Sequence, residues 1–387
     1  MCEDHPPGFN DLPEGTPLDD THRVDVLVLG GGWPGLRAAA RLAAEGVDVA
    51  LLEARPRLGA GASARAPGLV AAGLVEHPWR LQNSLGPDAA RIHEMSRHGR
   101  DALAEVVAHT RGAAWAAVNA READEIGRSV DTLQRWGVPA ARHDDTDARA
   151  GGQHFGASWW TPDDVVVDPI ATTQRLAQLA IDAGAALHTG TEVRRVGFDH
   201  TSLNVELTDG RRVRAEMAVL ATESGLPQMD PWFAEALSPV REQALLVSGP
   251  GPVHAMRSGY GYTSWVPTDH GLVVAGCRFA TPHMEMGEVD DTVTTPAIQE
   301  RLEASVARFF PHPDREVLAR WSWITARGCD GLPLVGPMPG NPAVVVCAGF
   351  MGLEGSLGIA AADGVVEGML TGEARRVPER LAPIRLI

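Results

Sequence analysis

Apolar positions along the chain first form a short unbroken run. Val24-Asp25-Val26-Leu27-Val28-Leu29 is β-branched, almost wholly apolar and followed by glycines, which predicts a central parallel strand buried on both faces. The alanine-rich stretch Leu36 to Gly46 predicts a helix with a glycine C-cap, and Val47 to Leu52 a second strand with Glu53 at its end. Polar and apolar residues alternate from Val193 to Val213 around Thr208-Asp209-Gly210, a hairpin pattern. Further strands are expected at Ala185 to Val196, Met217 to Thr222, Arg241 to Val247, Tyr260 to Val266, Leu272 to Phe279 and Val344 to Ala348. Helices are expected after Asp168-Pro169 through Ala183, near Pro296 to Phe310, from about Ser356 to Leu370, and in the alanine- and arginine-rich first half of 96–160.

Between the first strand and helix lies Gly30-Gly31-Gly32-Trp33-Pro34-Gly35, a G-x-G-x-x-G. In register with strand, helix, strand and acid it marks a dinucleotide site. Gly30 allows the tight turn, Gly32 lets backbone approach a pyrophosphate, Gly35 lets helix and strand pack, and Glu53 accepts from ribose hydroxyls. An acid at position 53 argues against a 2′-phosphate. The late run Val344 to Gly355 repeats the logic: strand, glycine-rich turn, helix, and a second positive helix end aimed at a ligand.

Charge and composition narrow the function. Thirty-four basic against 50 acidic residues give −16, which disfavours nucleic acid and anionic lipid as partners. No window approaches the roughly 18 apolar residues of a membrane span. Cys2, Cys277, Cys329 and Cys347 lie far apart, which suggests a reducing, cytoplasmic setting, and the 14 histidines show no metal-ligand spacing, so no metal is expected. Residues 1–21, acidic and rich in proline and glycine, read as a disordered tail without secretion signal. Every basic residue is arginine, so lysine chemistry is excluded.

Three ordered blocks carry a family resemblance. The loop Arg55-Pro56-Arg57-Leu58-Gly59-Ala60-Gly61-Ala62-Ser63-Ala64-Arg65-Ala66-Pro67-Gly68-Leu69, the strand Met217 to Thr222 with Glu223 to Pro227, and Asp330 to Pro337 with Val344 to Gly355 resemble the FAD-dependent D-amino-acid oxidase superfamily. The glycine/sarcosine oxidase and γ-glutamylputrescine oxidase branches are the most similar. The resemblance implies an α/β (α+β) fold: a Rossmann-like FAD-binding domain of the glutathione-reductase type with an antiparallel-sheet substrate domain. The FAD-binding domain would comprise 22–95, 161–237 and 330–387, and the substrate or cap domain 96–160 and 238–329. FAD contacts would fall on Gly30, Gly32, Trp33, Pro34, Gly35, Glu53, Ala54, Arg55, Ala62, Ser63, Arg65, Ala66, Gly68, Leu69, Val193, Ala221, Thr222, Gly349, Met351, Gly352, Leu353, Glu354 and Gly355. Backbone donors at Gly352 to Gly355 would stabilise the charge of reduced flavin.

The implied activity is oxidation of the C–N bond of a small amine or amino acid by hydride transfer to flavin N5, with an imine product and O2 reduced to H2O2. Tyr260, Tyr262 and Ser264 would share one face of a strand and meet substrate; Trp321, Trp323, Thr325 and Arg327 share a face of another. Thr325 stands where the family's carboxylate-binding arginine is expected, and Arg327 is the substitute two residues on. Positions that attach FAD covalently in some members carry Trp323 and Arg65, so FAD would be noncovalent. The lysine that assists O2 reduction in the sarcosine branch is missing from Gly271 to Gly276; Arg65, Arg278 or His270 are replacement cations. Two alternatives stay open: a flavin dehydrogenase or secondary-metabolite biosynthetic flavoenzyme with another acceptor or an unusual substrate, and a catalytically silent FAD-binding subunit.

Overall fold

The computed structural model describes residues 4–18, 22–145, 151–199 and 202–387. Two sheets organise them. The first is built on His22–Leu29, parallel to Val49–Leu52 on one side and to Arg212–Leu220 on the other. Ala186–His188 and Asn341–Ala348 extend it in parallel, and Leu334–Met338 closes one edge antiparallel. Alternation along His22–Leu29 explains its apolar run. Val26 and Val28 enter one apolar layer with the helix Trp33–Ala44, whereas Leu27 and Leu29 enter another on the opposite face. The helix Ile359–Thr371 lies in the first layer and is tied to Trp33–Ala44 by Asp363, which meets Arg37 at 2.7 Å and Arg41 at 3.2 Å.

The second sheet has nine strands. Its central rows run through Val317–Gly328, Leu237–Val247, Gly271–Gly276, Thr263–Thr268 and Met256–Ser258, all antiparallel. His109–Ala116 joins Met256–Ser258 in parallel and leads to Ser158–Val167 and Leu69–Val70. One face packs on the helix Pro296–Phe309 through Trp265, Val274 and Leu302; the other carries Ala244, Ala275, Trp321 and Trp323.

Several expectations change in the structure. Residues 4–18 are a packed strap over the cofactor half: Leu58 N donates to Pro13 O, Thr16 N donates to Leu187 O, and Leu12 is buried against Ala60, Ala64 and Ile170. The expected strand 260–266 starts only at Thr263, because Gly259, Tyr260 and Gly261 have φ of 62°, 58° and 80° and form a turn. A Cβ on Gly261 would lie 2.9 Å from the Trp115 ring, so only glycine fits there. The strand expected to reach Phe279 ends at Gly276, after which Cys277, at φ 57°, turns the chain. Ala185 to Val196 is two strands, Ala186–His188 and Val193–Asp199, paired with different neighbours. Helical structure after position 96 is interrupted by the strand His109–Ala116, whose alanines pair with Ser158–Val167. That last strand, which the sequence divides between domains, lies wholly in the nine-stranded sheet.

Candidate active site

The first glycine turn is set by close backbone approach. Gly30 has φ 106°, and a Cβ there would meet Ala221 O at 2.5 Å; a Cβ on Gly35 would lie 1.9 Å from Gly30 O. Gly32 caps the helix, and the N–H of Trp33 donates to Ser63 Oγ at 3.1 Å, joining the turn to the glycine/alanine loop. Glu53 reaches back to the turn: Oε2 accepts from Gly31 N at 2.7 Å and Oε1 from Arg55 N at 2.8 Å. Burial pushes its carboxyl up, and these two N–H groups oppose that shift.

The C-terminal glycine turn comes to the same place. A small cavity is lined by Trp33, Ser63, Gly68 and Leu69 from the N-terminal third and by Gly352 and Gly355. A Cβ on Gly355 would lie 3.0 Å from the Trp33 ring and 2.7 Å from Val70, so the two helix starts touch because both are glycine-lined. Glu354–Gly358 forms one wide π-type turn that continues into the helix Ile359–Thr371.

Two carboxyls occupy this second turn. Glu223 accepts from Gly349 N at 3.0 Å and Phe350 N at 3.2 Å, and Glu354 accepts from Gly352 N and from Thr325 Oγ1, both at 3.3 Å. The expectation that Gly352 offers a free donor to reduced flavin is therefore corrected: Glu354 takes it. Burial, then the nearby Glu354 charge, pushes Glu223 up to about 8 against the N–H groups of Gly349, Phe350 and Ala326. Glu354 is also pushed up by burial.

Beyond Gly352 opens a cavity of about 820 Å³ between the cofactor turns and the nine-stranded sheet. Trp323 and Arg327 line it, as do Tyr260 and Tyr262, from the turn rather than from a strand. The Tyr260 hydroxyl donates to Asn119 Oδ1 at 3.4 Å, and Arg80 lies 5.3 Å over its ring. Thr325 is fully buried and held by Glu354, away from the cavity lining. Arg65 stands outside the cavity as a strut: its guanidinium pairs with Asp291 at 3.2 Å and donates to Ser322 O at 2.9 Å, while its carbonyl accepts from Trp321 Nε1. His270 is exposed in a turn.

Among the charged residues of the cavity that the sequence expectations do not name are Arg257 and Glu242. Arg257, on the short strand Met256–Ser258, has no hydrogen-bond or ion-pair partner among the described residues. Burial lowers its pKa, and Asp164 opposes the shift. Glu242 lines the opposite side and pairs with Arg278 at 2.7 Å. Arg257 leaves no signal in the sequence, because only cross-strand register places it. Glu242 leaves one: Arg241-Glu242-Gln243 are three polar residues in the middle of the strand Leu237–Val247, directly before its buried apolar end Ala244 to Val247.

The profile of a family described as "FAD dependent oxidoreductase" matches residues 25–367. The chain is 27% identical over 351 residues to the glycine oxidase of Geobacillus kaustophilus, covering 85% of this chain and 88% of that one. The solved glycine oxidase from Geobacillus kaustophilus superposes with a TM-score of 0.79 at 22% identity, over 95% of this chain and all (100%) of that one. The L-proline dehydrogenase from P. horikoshii also reaches 0.79, at 20% identity and 95% and 98% coverage. The site fits FAD on its own terms. Among the described residues, Trp323 Nε1 and Thr222 Oγ1 are buried without hydrogen-bond partners beside the two glycine turns, and no atom stands within 4 Å of the place a Gly352 Cβ would take. Gly30–Gly35 and Ser63 would hold the diphosphate and Glu53 the ribose. No described helix is long and apolar enough to cross a membrane, and the described residues include no cluster of metal-ligating side chains. The chain is an FAD-dependent oxidoreductase of the amine and amino-acid oxidase type and belongs to the D-amino-acid oxidase family, whose profile spans nearly all of it.

Proposed function

We propose that this enzyme oxidises the C–N bond of a small α-amino acid whose carboxylate is held by Arg257. The observation that carries this reading is the unpaired guanidinium itself. Arg257 is a half-buried cation that faces the cavity without an anion among the described residues, which suits the cavity to an anionic group of the substrate. Arginine's planar fork suits a carboxylate bidentately. Arg327, also without a partner among the described residues, lies further along the wall beside Asp330 and Gly331 and is available to a longer substrate. FAD, when bound, supplies the acceptor for substrate hydride at N5. The chain's part is to bind, orient and exclude water: Trp323 and Met351 wall the cavity where it meets Gly352, and the product leaves as an imine.

The terminal acceptor has two readings. O2, with H2O2 as product, follows the family. An acceptor other than O2 is favoured by a specific observation: of the expected replacement cations, Arg278 is neutralised by Glu242, Arg65 by Asp291, and His270 is exposed.

Arg257→Gln tests the substrate reading. Flavin reduction by a panel of amino acids should fall at least about 100-fold in kcat/KM, mostly through KM, while simple alkylamines lose little. Equal loss for acids and amines would overturn the carboxylate assignment. Stopped-flow reoxidation in air against an artificial acceptor separates the two acceptor readings.

A further inference from the structure

Cross-strand register puts the two ends of the cavity in one row. Arg257 pairs with Ser264, Ser264 with Ala275, and Ala275 with Ala244. Glu242 lies two residues before Ala244, on the same face of its strand. Three steps between strands at about 4.8 Å each set Arg257 and Ala244 roughly 14 Å apart at the backbone. The positions between are a serine and alanines, so the floor is open and the charged side chains lean in from its two ends.

The acid at the far end has a free oxygen. Glu242 Oε1 meets Arg278 Nε at 2.7 Å, whereas Oε2 has no hydrogen-bond partner among the described residues. Arg278 is held in turn by its donation to Met284 O at 3.0 Å, which fixes the carboxylate's orientation. The other cavity acids are committed elsewhere: Glu76 pairs with Arg80 at 3.5 Å, and Asp330 accepts from Arg385 at 2.8 and 3.0 Å.

We infer that Glu242 Oε2 receives a proton from the substrate's ammonium group, which makes Arg257 and Glu242 a two-ended receptor for a zwitterionic amino acid. The inference rests on the Arg257 reading above. In the step, one N–H bond of the ammonium breaks, one O–H bond forms on Glu242 Oε2, and the electron pair stays on nitrogen. The carbon beside that nitrogen can then release hydride, which an ammonium nitrogen prevents. The charged and titratable groups around Glu242 are Arg278, Glu285, Glu354 and Cys277. Burial raises its pKa, Arg278 opposes the rise, and Glu285 adds to it. The shift brings the acid nearer the amine it serves.

The test uses the FAD-loaded enzyme and two ligands that cannot be oxidised at the α-carbon: 2-aminoisobutyrate, which has the ammonium, and isobutyrate, which lacks it. Binding is followed by perturbation of the flavin visible spectrum. Glu242→Gln should weaken 2-aminoisobutyrate about tenfold or more and leave isobutyrate within about twofold. In the same variant the acid limb of amino-acid-driven flavin reduction should move up by at least about one pH unit, toward ionisation of the free amine, with Glu242→Asp restoring part of the rate. If Glu242→Gln loses flavin, Glu242→Asp decides by the same two ligands. Equal weakening of both ligands, or an unmoved pH profile, overturns the Glu242 role alone. Failure of wild-type enzyme to bind isobutyrate overturns the Arg257 reading and this inference with it.

Discussion

The two glycine turns that meet beside Trp33 solve the same geometric problem and leave opposite electrostatics. At Gly30–Gly35 the backbone closes on itself, with Gly35 against Gly30 O, and a single acid, Glu53, lies at the end of the neighbouring strand. At Gly349–Gly355 the space in front of Gly352 is open, and two acids, the half-buried Glu223 and the buried Glu354, take the N–H groups of Gly349, Phe350 and Gly352. The first turn is rigid because packing demands it, and it presents a positive helix end. The second is shaped by carboxyls whose proton content varies with pH. Glycine pattern alone therefore says where backbone comes close to a ligand, not what charge waits there.

The largest effect expected from this contrast is Gly35→Ala against Gly352→Ala. The new methyl at position 35 would meet a backbone oxygen at 1.9 Å that no rotamer relieves, so the cost should exceed about 3 kcal/mol and retained FAD should fall at least about tenfold. At position 352 the methyl meets no described protein atom, so only the φ of 85° opposes folding, for about 1 kcal/mol, and any loss of FAD beyond that comes from the methyl standing where the cofactor would lie. Flavin absorbance per protein, with urea denaturation, measures both. Similar losses at the two positions would erase the distinction between a packed turn and an open one.

Next in size is the pH dependence that the second turn should carry. Glu223 is pushed up to about 8 in the fold from an ordinary value near 4.5. The folded protein therefore holds a proton that the unfolded chain has released, and stability is full below the unfolded value and falls as pH rises toward the folded one. Glu223→Gln should remove that slope. Its stability relative to wild type should rise between pH 5 and pH 8 by on the order of 3 kcal/mol, less whatever charge-assisted bonding from Gly349 and Phe350 the amide loses. Denaturant titrations at several pH values check this, and parallel curves for the two proteins would assign the slope to Glu354 or to groups outside the turn.

The same contrast explains what the sequence made legible. The cofactor half is written in backbone terms, as glycines at fixed spacing, a strand apolar at every position and an acid at the next strand's end, and these follow from local sterics. The substrate half depends on which residues face one another across strands far apart in sequence. Arg257 owes its meaning to Ser264 and Ala275, and Thr325 lost its expected role to Glu354, 29 positions away. Tyr260 and Tyr262 line the cavity from a turn and not from a strand, because the glycines flanking Tyr260 break the strand that alternation suggested. The strap 4–18 was hidden for another reason: its proline- and glycine-rich composition resembles disorder, while a few apolar residues such as Leu12 find a groove that only the folded loop provides.

The smallest effect concerns a third helix start, which has no ligand to wait for. Asp168 caps Pro169–Asp182 with its own side chain, accepting from Ile170 N at 2.8 Å and Ala171 N at 3.0 Å. Asp168→Ala should cost about 1 kcal/mol, the ordinary value of an N-cap. The helix also carries Thr173, whose hydroxyl accepts from the Trp33 indole at 2.9 Å beside the first glycine turn, so a loosened helix would be felt by the cofactor. Its body is held by Leu176, Ala177 and Ala180 in the core beneath the sheet, which confines fraying to the first turn. FAD affinity should consequently change less than about twofold while stability drops. If FAD weakened in step with stability, the helix would be transmitting strain to Trp33, and the division between helix starts filled by a ligand and those filled by a side chain would no longer hold.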